Sequence, residues 1–303
     1  MEIPEIHIPI TEIPYSDKVC LCIKREDLIH PEISGNKYWK LLYNIQNYLA
    51  EEVRHPFIIT FGGAFSNHIA AVAALGRIFG IPTLGIIRGE ELAEIWPQNP
   101  TLSKAYENGM QFHFVTRTEY RDKEKLCCDF STKFPEALVV PEGGSNKMAV
   151  LGIRHMLDSR TAEFDYLCTA VGTGGTVAGL SLYAEEHQKI IGFKVVNDAE
   201  TDGRVARWSG RKNVELVDAF GKGYGKVTEE LIKFVNTFSS RFRVPIEPVY
   251  TGKMMMKLLQ MIDEGYFPEG ARILAFHTGG LQGSEGMNVY LKKKNKTIIN
   301  TVK

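Results

Sequence analysis

The sequence predicts an α/β protein with mainly parallel β-sheet that is covered by helices on both faces. Short β-rich runs alternate with segments of helical periodicity along most of the chain, which is the pattern of strands joined by crossover helices. Three of these runs end in glycine-rich turns that open helices. Turns of this kind line the ligand-binding edge of parallel sheets.

The individual elements follow from the same patterns. Strands are predicted at residues 57–63, 81–88, 111–116, 137–140, 166–171, 190–196 and 272–276. Helices are predicted at residues 66–79, 147–157, 176–187, 228–238 and 251–264. A further helix opens near Lys37, because apolar residues then recur at helical spacing: Tyr38, Leu41, Leu42, Ile45 and Leu49.

Composition excludes several classes of protein. The chain has 303 residues, 44% of them hydrophobic, which is enough for more than one structural unit. The 36 basic and 36 acidic residues give no electrostatic reason to expect nucleic acid or an anionic membrane as a partner. There is no apolar run of transmembrane length, and MEIPEIHIPI at the N-terminus is unlike a signal peptide.

The five cysteines form no CxxC pair, which argues against a zinc site and against a disulfide framework. A reduced cytoplasmic protein without a bound metal is therefore expected.

The three glycine-rich turns are GGAFSNH at residues 62–68, GTGGT at 172–176 and HTGG at 277–280. Ligands in open α/β sheets sit beyond the carboxyl ends of the strands. The three turns therefore predict one shared site.

The segment GTGGTVAG (172–179) follows an apolar strand and precedes a helix. Glycines let the backbone approach an anion, and a helix N-terminus favours negative charge. The segment has neither the Gly-Lys-Ser/Thr of a P-loop nor the GxGxxG of a dinucleotide fold. It predicts a site for a small phosphate, although a tight turn that binds nothing has the same pattern.

The segment SNH opens the next candidate site, with Ser66, Asn67 and His68 at a helix start. Ser66 is an ordinary N-cap residue and needs no other function. The alternative is a cradle for a carboxylate, built from backbone amides with hydroxyl, amide and imidazole groups. A serine nucleophile activated by His68 is disfavoured, because residues two apart on a helix do not face each other.

Lys37 lies in SGNKYWK on or beside the core-facing side of its helix, since Leu41 and Ile45 follow at i+4 and i+8. Most lysines near a helix start are solvated. A buried lysine is costly unless its amine has a use.

Tyrosines beside glycine or at a helix start occur in GYG (Tyr224) and VYTGK (Tyr250). Each alone is more often a packing residue than a catalytic one. Taken together, a buried lysine, a phosphate loop and a carboxylate-binding helix start are the parts of a pyridoxal-phosphate site.

The motifs KREDL, GNKxxKL, GGxxSNH, GTGGTxAG, GYG, VYTGK and HTGG occur in this order from residue 24 to residue 280. Together they resemble the fold-type II (tryptophan synthase β-like) pyridoxal-phosphate enzymes of the 1-aminocyclopropane-1-carboxylate deaminase/D-cysteine desulfhydrase family. The resemblance implies that pyridoxal 5'-phosphate is the cofactor and that a small amino acid is the substrate.

The resemblance also implies roles for individual residues. Lys37 is the expected Schiff-base lysine, with Lys40 near the phosphate. The expected catalytic residues are Lys37, Ser66, Tyr224 and Tyr250, and either Lys37, the first choice, or a tyrosine is the α-proton base. The phosphate itself is expected on Gly172, Thr173, Gly174, Gly175 and Thr176. Asn67 is expected at the phenolic oxygen of the cofactor, and Thr251 at the pyridine nitrogen. The substrate is expected to contact Ser66, Asn67, His68, Tyr224, Tyr250 and Thr278.

Two positions suggest a substrate within the family. Ring-opening deaminases usually carry glutamate after the tyrosine of VYxGK and leucine after the histidine of HxGG, whereas this chain has Thr251 and Thr278. A threonine hydroxyl makes the cofactor a weaker electron sink than a carboxylate does. D-cysteine is therefore the first expectation. The alternatives are 1-aminocyclopropane-1-carboxylate, D-serine or another β-substituted amino acid, and a protein that binds the cofactor without turnover.

A two-domain arrangement is expected, with a larger domain of residues 1–50 and 138–303, a smaller domain of residues 51–137, and the cofactor between them. The resemblance further implies a homodimer, which light scattering would test.

Overall fold

The computed structural model describes residues 6–223 and 225–300, and these residues contain two separate β-sheets. The larger sheet has six strands, β1 (Ile10–Glu12), β2 (Cys20–Lys24), β7 (Tyr166–Val171), β8 (Lys189–Lys194), β9 (Val214–Asp218) and β10 (Arg272–Phe276). Their order is β1-β2-β10-β7-β8-β9, and only β1 runs antiparallel to its neighbour.

The smaller sheet has four parallel strands, β3 (Ile58–Gly62), β4 (Thr83–Arg88), β5 (Met110–Val115) and β6 (Leu138–Val140). Their order is β5-β4-β3-β6. Because β6 pairs with β3 from Leu138 onward, this sheet extends to residue 140. The predicted domain limits at residues 50/51 and 137/138 stay a prediction.

Helices cover both sheets. They are α1 (Asn36–Leu49), α2 (Asn67–Phe79), α3 (Pro100–Glu107), α4 (Lys123–Lys133), α5 (Lys147–Gly152), α6 (Gly175–Tyr183), α7 (Thr201–Ser209), α8 (Glu229–Phe242), α9 (Thr251–Asp263) and α10 (Gly283–Lys293). The predicted α/β class with mainly parallel sheet is confirmed.

The central strands of the larger sheet are apolar on both faces. Ile273 and Ala275 of β10 belong to a core with α8 and α9, whereas Leu274 and Phe276 belong to a second core with α6. A strand covered on both faces has no alternation of polar and apolar residues, which is why these strands read as continuous apolar runs.

Every predicted strand is present, with ends that shift by at most two residues. The predicted helix at 147–157 is a short α-helix that ends at Gly152 and continues as a 3₁₀-helix, Ile153–Met156. The helix predicted to end at residue 187 ends at Tyr183, and the one predicted to end at 238 runs to Phe242.

The sequence patterns missed β1, β2, β9, α3, α4, α7 and α10. β1 has only three residues, and α4 buries only Phe130. Short edge strands and solvated helices carry little apolar periodicity, so their patterns are weak.

Candidate active site

A cavity of about 1040 Å³ lies at the carboxyl ends of strands from both sheets. All three glycine-rich turns contribute to its wall. Predicted site residues that line it are Lys37, Lys40, Ser66, Asn67, His68, Gly172, Thr173, Gly174, Gly175, Thr176, Tyr250 and Thr278. Residues that are far apart in the sequence thus meet in one cavity, and their individual roles stay predictions.

Lys37 is the second residue of α1 and is partly buried. Its Nζ lies 3.3 Å from Oδ1 of Asn36. Desolvation lowers the pKa of the Lys37 ammonium to about 8, because burial disfavours the charged form. A neutral amine is therefore available near neutral pH, as the Schiff-base role requires.

Lys40 lies one turn further along α1 and is only 1% exposed. Its Nζ donates to the carbonyl oxygen of Gly143 (2.8 Å) and to Oγ of Ser145 (2.7 Å). Burial and then the charge of Lys37 lower the pKa of Lys40 well below its usual range. A Cβ placed on Gly175 would lie 3.3 Å from this Nζ, so the amine stands beside the GTGGT turn.

The GTGGT turn joins β7 to α6. Gly174 has a left-handed φ of 90° and precedes the first residue of α6. A Cβ on Gly175 would come within 2.7 Å of Ser145 Oγ, so only glycine leaves this space open. Open space, a helix N-terminus and the Lys40 amine together fit a small phosphate.

Side-chain hydroxyl and amide groups of other segments contact the GTGGT turn. Oγ of Ser145 lies 2.5 Å from Oγ1 of Thr173, and Nδ2 of Asn36 donates to Oγ1 of Thr176 (2.6 Å). These two contacts connect the GTGGT turn to α1 and to the loop after β6.

Ser145, Gly143 and Asn36 were not among the predicted site residues. Ser145 lies in PEGGSN (141–146), directly after the predicted strand at 137–140. This is a fourth glycine-rich turn after a strand. The same pattern that selected the other three turns would have found it.

Ser66 is the N-cap of α2, and its Oγ accepts from the backbone N–H of Ile69 (3.3 Å). The N-cap interpretation is therefore confirmed. The start of α2 also faces the cavity, so capping and a carboxylate cradle are compatible at this position.

His68 is 2% exposed, and its predicted contact with the substrate stays a prediction. Thr60 Oγ1 donates to the carbonyl of Val140, so Nε2 of His68 is the donor in its 2.7 Å contact with Thr60. Burial, then the charges of Lys37 and Lys40, lower the pKa of His68 well below its usual range. The ring is neutral and its Nδ1, which has no hydrogen-bond partner, is an acceptor. The imidazole therefore offers a carboxylate no donor, whereas the backbone amides and the Ser66 hydroxyl at the start of α2 can donate.

The two candidate residues of the VYTGK segment, Tyr250 and Thr251, lie in different environments. Tyr250 lines the cavity, and its ring lies 3.2 Å from where a Cβ on Gly172 would be. Thr251 is fully buried and is not among the lining residues, whereas Glu247, four residues earlier, is. Sequence reasoning missed Glu247. Tyr224 lies outside the described residues.

Gly35 brings the SGNK and HTGG segments together. It has φ 69° and ψ −150°, a conformation that glycine alone adopts readily. A Cβ here would lie far inside van der Waals contact with the carbonyl of Thr278. This close approach sets where α1 starts and therefore where Lys37 lies.

The KREDL motif (residues 24–28) forms hydrogen bonds with the residues that precede α1. The backbone carbonyl of Glu26 accepts from the N–H of Gly35 (3.0 Å), and that of Asp27 accepts from Ser34 Oγ (3.1 Å). The motif is thus a scaffold for the lysine loop.

Over residues 6–223 and 225–300, we find no helix with the length and apolar character needed to cross a bilayer. The same residues hold no group of three or more His, Cys, Asp or Glu side chains that could bind a metal ion.

Comparison with known proteins agrees with this geometry. Residues 4–279 match the family described as pyridoxal-phosphate dependent enzyme. The chain is 32% identical over 301 residues to the mitochondrial bifunctional D-cysteine desulfhydrase/1-aminocyclopropane-1-carboxylate deaminase of Arabidopsis thaliana, which covers 87% of this chain and 73% of that protein.

Solved structures give the same result. An ACC deaminase homologue shares 26% identity and superposes with a TM-score of 0.77, covering 92% of this chain and 91% of that one. The O-acetylserine dependent cystathionine β-synthase of Helicobacter pylori has 13% identity and a TM-score of 0.72, over 96% of this chain and 100% of that one, and so shares the fold.

The matched family covers nearly the whole chain, and one cavity brings together Lys37, the GTGGT turn and the start of α2. The chain therefore belongs to the fold-type II pyridoxal-phosphate-dependent enzymes, within the family of 1-aminocyclopropane-1-carboxylate deaminase and D-cysteine desulfhydrase.

Proposed function

We propose that the enzyme catalyses β-elimination of D-cysteine, which with water gives pyruvate, ammonia and hydrogen sulfide. The observation that carries this proposal is the pair Thr251 and Thr278, at the two positions where ring-opening relatives usually have glutamate and leucine. Thr278 lines the cavity, so its side chain is placed to influence the choice of substrate. The name of the Arabidopsis relative includes this activity.

The proposed roles follow from where the groups lie. Lys40 and the turn from Gly172 to Thr176 hold the phosphate of the cofactor. The backbone amides of Asn67 and His68, with the hydroxyl of Ser66, hold the substrate carboxylate. Tyr250, and by resemblance Tyr224, face the substrate. Bound pyridoxal phosphate supplies the electron sink, and Lys37 Nζ removes the α-proton.

Product analysis of purified enzyme loaded with pyridoxal phosphate tests the proposal. With D-cysteine, we expect sulfide and pyruvate in equal amounts, at a rate well above that with L-cysteine or D-serine. Faster pyruvate release from D-serine would instead assign the enzyme to that substrate. Cofactor binding without turnover of these compounds or of 1-aminocyclopropane-1-carboxylate would make the protein a binder of pyridoxal phosphate.

Deamination of 1-aminocyclopropane-1-carboxylate to 2-oxobutanoate is the second candidate. It is favoured by the buried carboxylate of Glu247 in the cavity wall, because ring opening needs a strong electron sink. Release of 2-oxobutanoate at a rate exceeding that of sulfide release would select it.

The pKa of Lys37 predicts the pH dependence of cofactor attachment. Only the neutral amine attacks the aldehyde, and its fraction rises as pH increases through the pKa, which is about 8 here. We therefore expect the rate of attachment to the apoprotein to reach half its maximum near pH 8. An unperturbed lysine would do so near pH ~10.4.

Absorbance at about 410–430 nm after mixing apoprotein with pyridoxal phosphate would follow the attachment. A rate that still increases steeply from pH 9 to pH 10 would contradict the lowered pKa.

A further inference from the structure

Glu247 is a buried carboxylate in the cavity wall, 2% exposed. Its Oε1 accepts from the backbone N–H groups of Tyr250 (2.8 Å) and Thr251 (2.7 Å), and its Oε2 accepts from that of Val249 (2.7 Å). Both oxygens accept and neither donates, which is the pattern of an ionised carboxylate. Burial raises the pKa of Glu247 above its usual value, and the hydrogen bonds from Thr251, Val249 and Tyr250 act in the opposite direction. Three backbone amides thus hold a negative charge at the start of α9.

The hydroxyl of Thr251 forms hydrogen bonds with this glutamate. It accepts from the backbone N–H of Glu247 (3.0 Å) and donates to Oε1 (3.2 Å) or to the backbone carbonyl (3.3 Å) of the same residue. A hydroxyl has one proton. Thr251 therefore has no proton left to donate to a ring nitrogen.

The position of Glu247 within the cavity supports a role at the cofactor. A Cβ on Gly280 would lie 3.4 Å from Cγ of Glu247 and 2.6 Å from Nδ2 of Asn67. Asn67 is the residue proposed for the phenolic oxygen of the ring, and Thr251 the one proposed for its nitrogen. Glu247 and Asn67 both lie beside Gly280, so Glu247 lies on the side of the cavity proposed for the ring.

We infer that the carboxylate of Glu247, held by the backbone amides of residues 249–251, keeps the ring nitrogen of bound pyridoxal phosphate protonated. The inference rests on the proposed placement of the cofactor. A fixed negative charge with little exposure to water favours a cation beside it. Because Thr251 can only accept, its hydroxyl does not oppose the proton on the ring nitrogen.

This role changes the interpretation of the threonine at position 251. From the sequence alone, a threonine at this position is expected to make the cofactor a weak electron sink. Here a carboxylate four residues earlier supplies the charge that a glutamate at 251 would supply. The depth of the sink and the choice of substrate are then set by different residues.

The nitrogen-15 NMR signal of the cofactor tests the inference without any substrate. Enzyme reconstituted with pyridoxal phosphate labelled at the ring nitrogen is expected to show the chemical shift of a protonated pyridine. Glu247→Gln keeps the size of the side chain but removes its charge, and we expect the signal to move to the unprotonated range. A Glu247→Gln protein that binds cofactor with the wild-type shift would overturn the inference.

A second variant tests the inference independently in case Glu247→Gln does not fold. Thr251→Val removes the hydroxyl but keeps the backbone N–H that holds the carboxylate, and we expect the ring nitrogen to stay protonated. Loss of the proton in Thr251→Val would assign the role to Thr251 and overturn the inference.

Asp122→Asn is a matched control for loss of a helix-capping charge, since Asp122 caps α4 through the N–H of Lys125 (3.1 Å) and does not line the cavity. It should leave the signal unchanged. A wild-type protein that turns over D-cysteine with an unprotonated ring nitrogen would overturn this inference alone. A wild-type protein that binds no pyridoxal phosphate would overturn the proposed function as well.

Discussion

Lys37→Ala is expected to abolish covalent attachment of pyridoxal phosphate and to lower turnover by about 10³-fold or more, because one amine both carries the cofactor and removes the α-proton. The phosphate site should survive, since Lys40 and the GTGGT turn hold it independently of Lys37. We therefore expect the variant to bind the cofactor loosely, without the absorbance at about 410–430 nm of the wild-type enzyme.

Reduction with borohydride followed by peptide mapping measures the attachment directly. In wild-type enzyme the cofactor should be found on Lys37. Lys253→Met is a suitable control, because Lys253 is also a buried lysine but donates to backbone carbonyls of Phe220 and Gly223 and does not line the cavity. Cofactor found on Lys40 in the wild-type enzyme would refute the assignment.

Gly35→Ala is expected to cost about 3 to 5 kcal/mol of stability, from backbone strain and from overpacking against Thr278 together. Because Gly35 directly precedes α1, relief of the clash would move Lys37 away from the cavity. We therefore also expect the affinity for pyridoxal phosphate to fall by more than tenfold, which is about 1.4 kcal/mol.

Thermal unfolding and cofactor titration of Gly35→Ala would measure the two effects. Gly80→Ala is the matched control, since Gly80 has a similar φ of 66° but no atom within 4 Å of its added Cβ. That variant should cost only about 1 to 2 kcal/mol and should bind the cofactor normally. Equal loss of affinity in both variants would show that the Gly35–Thr278 contact does not position Lys37.

The features predicted from sequence are those that local pattern encodes. Apolar runs covered on both faces predicted the central strands, and glycine-rich turns predicted the phosphate loop and the other two cavity loops. Lys37 was found because its helix has an apolar face and because the surrounding motifs resemble a known family. Each of these signals lies within a few consecutive residues.

The features that sequence reasoning missed depend on side-chain contacts and burial that no local pattern describes. Ser145 reaches Lys40 from 105 residues away, and His68 meets Thr60 at the far side of a strand and turn. The neutral state of His68 follows from burial near two lysines, which no local pattern reports. Glu247 is four residues from Thr251, but its place in the cavity wall follows from the turn that precedes α9.

The contacts of Ser145 have a thermodynamic consequence. This residue follows the last strand of the smaller sheet, and its hydroxyl contacts Lys40 from α1 and Thr173 from the larger sheet. A ligand held at this junction is stabilised by groups from both halves of the fold. By linkage, the free energy by which such a ligand stabilises the docking of the halves equals the free energy by which docking raises the affinity for the ligand. With its phosphate at the proposed site, the cofactor would connect the two sheets as well as take part in the reaction.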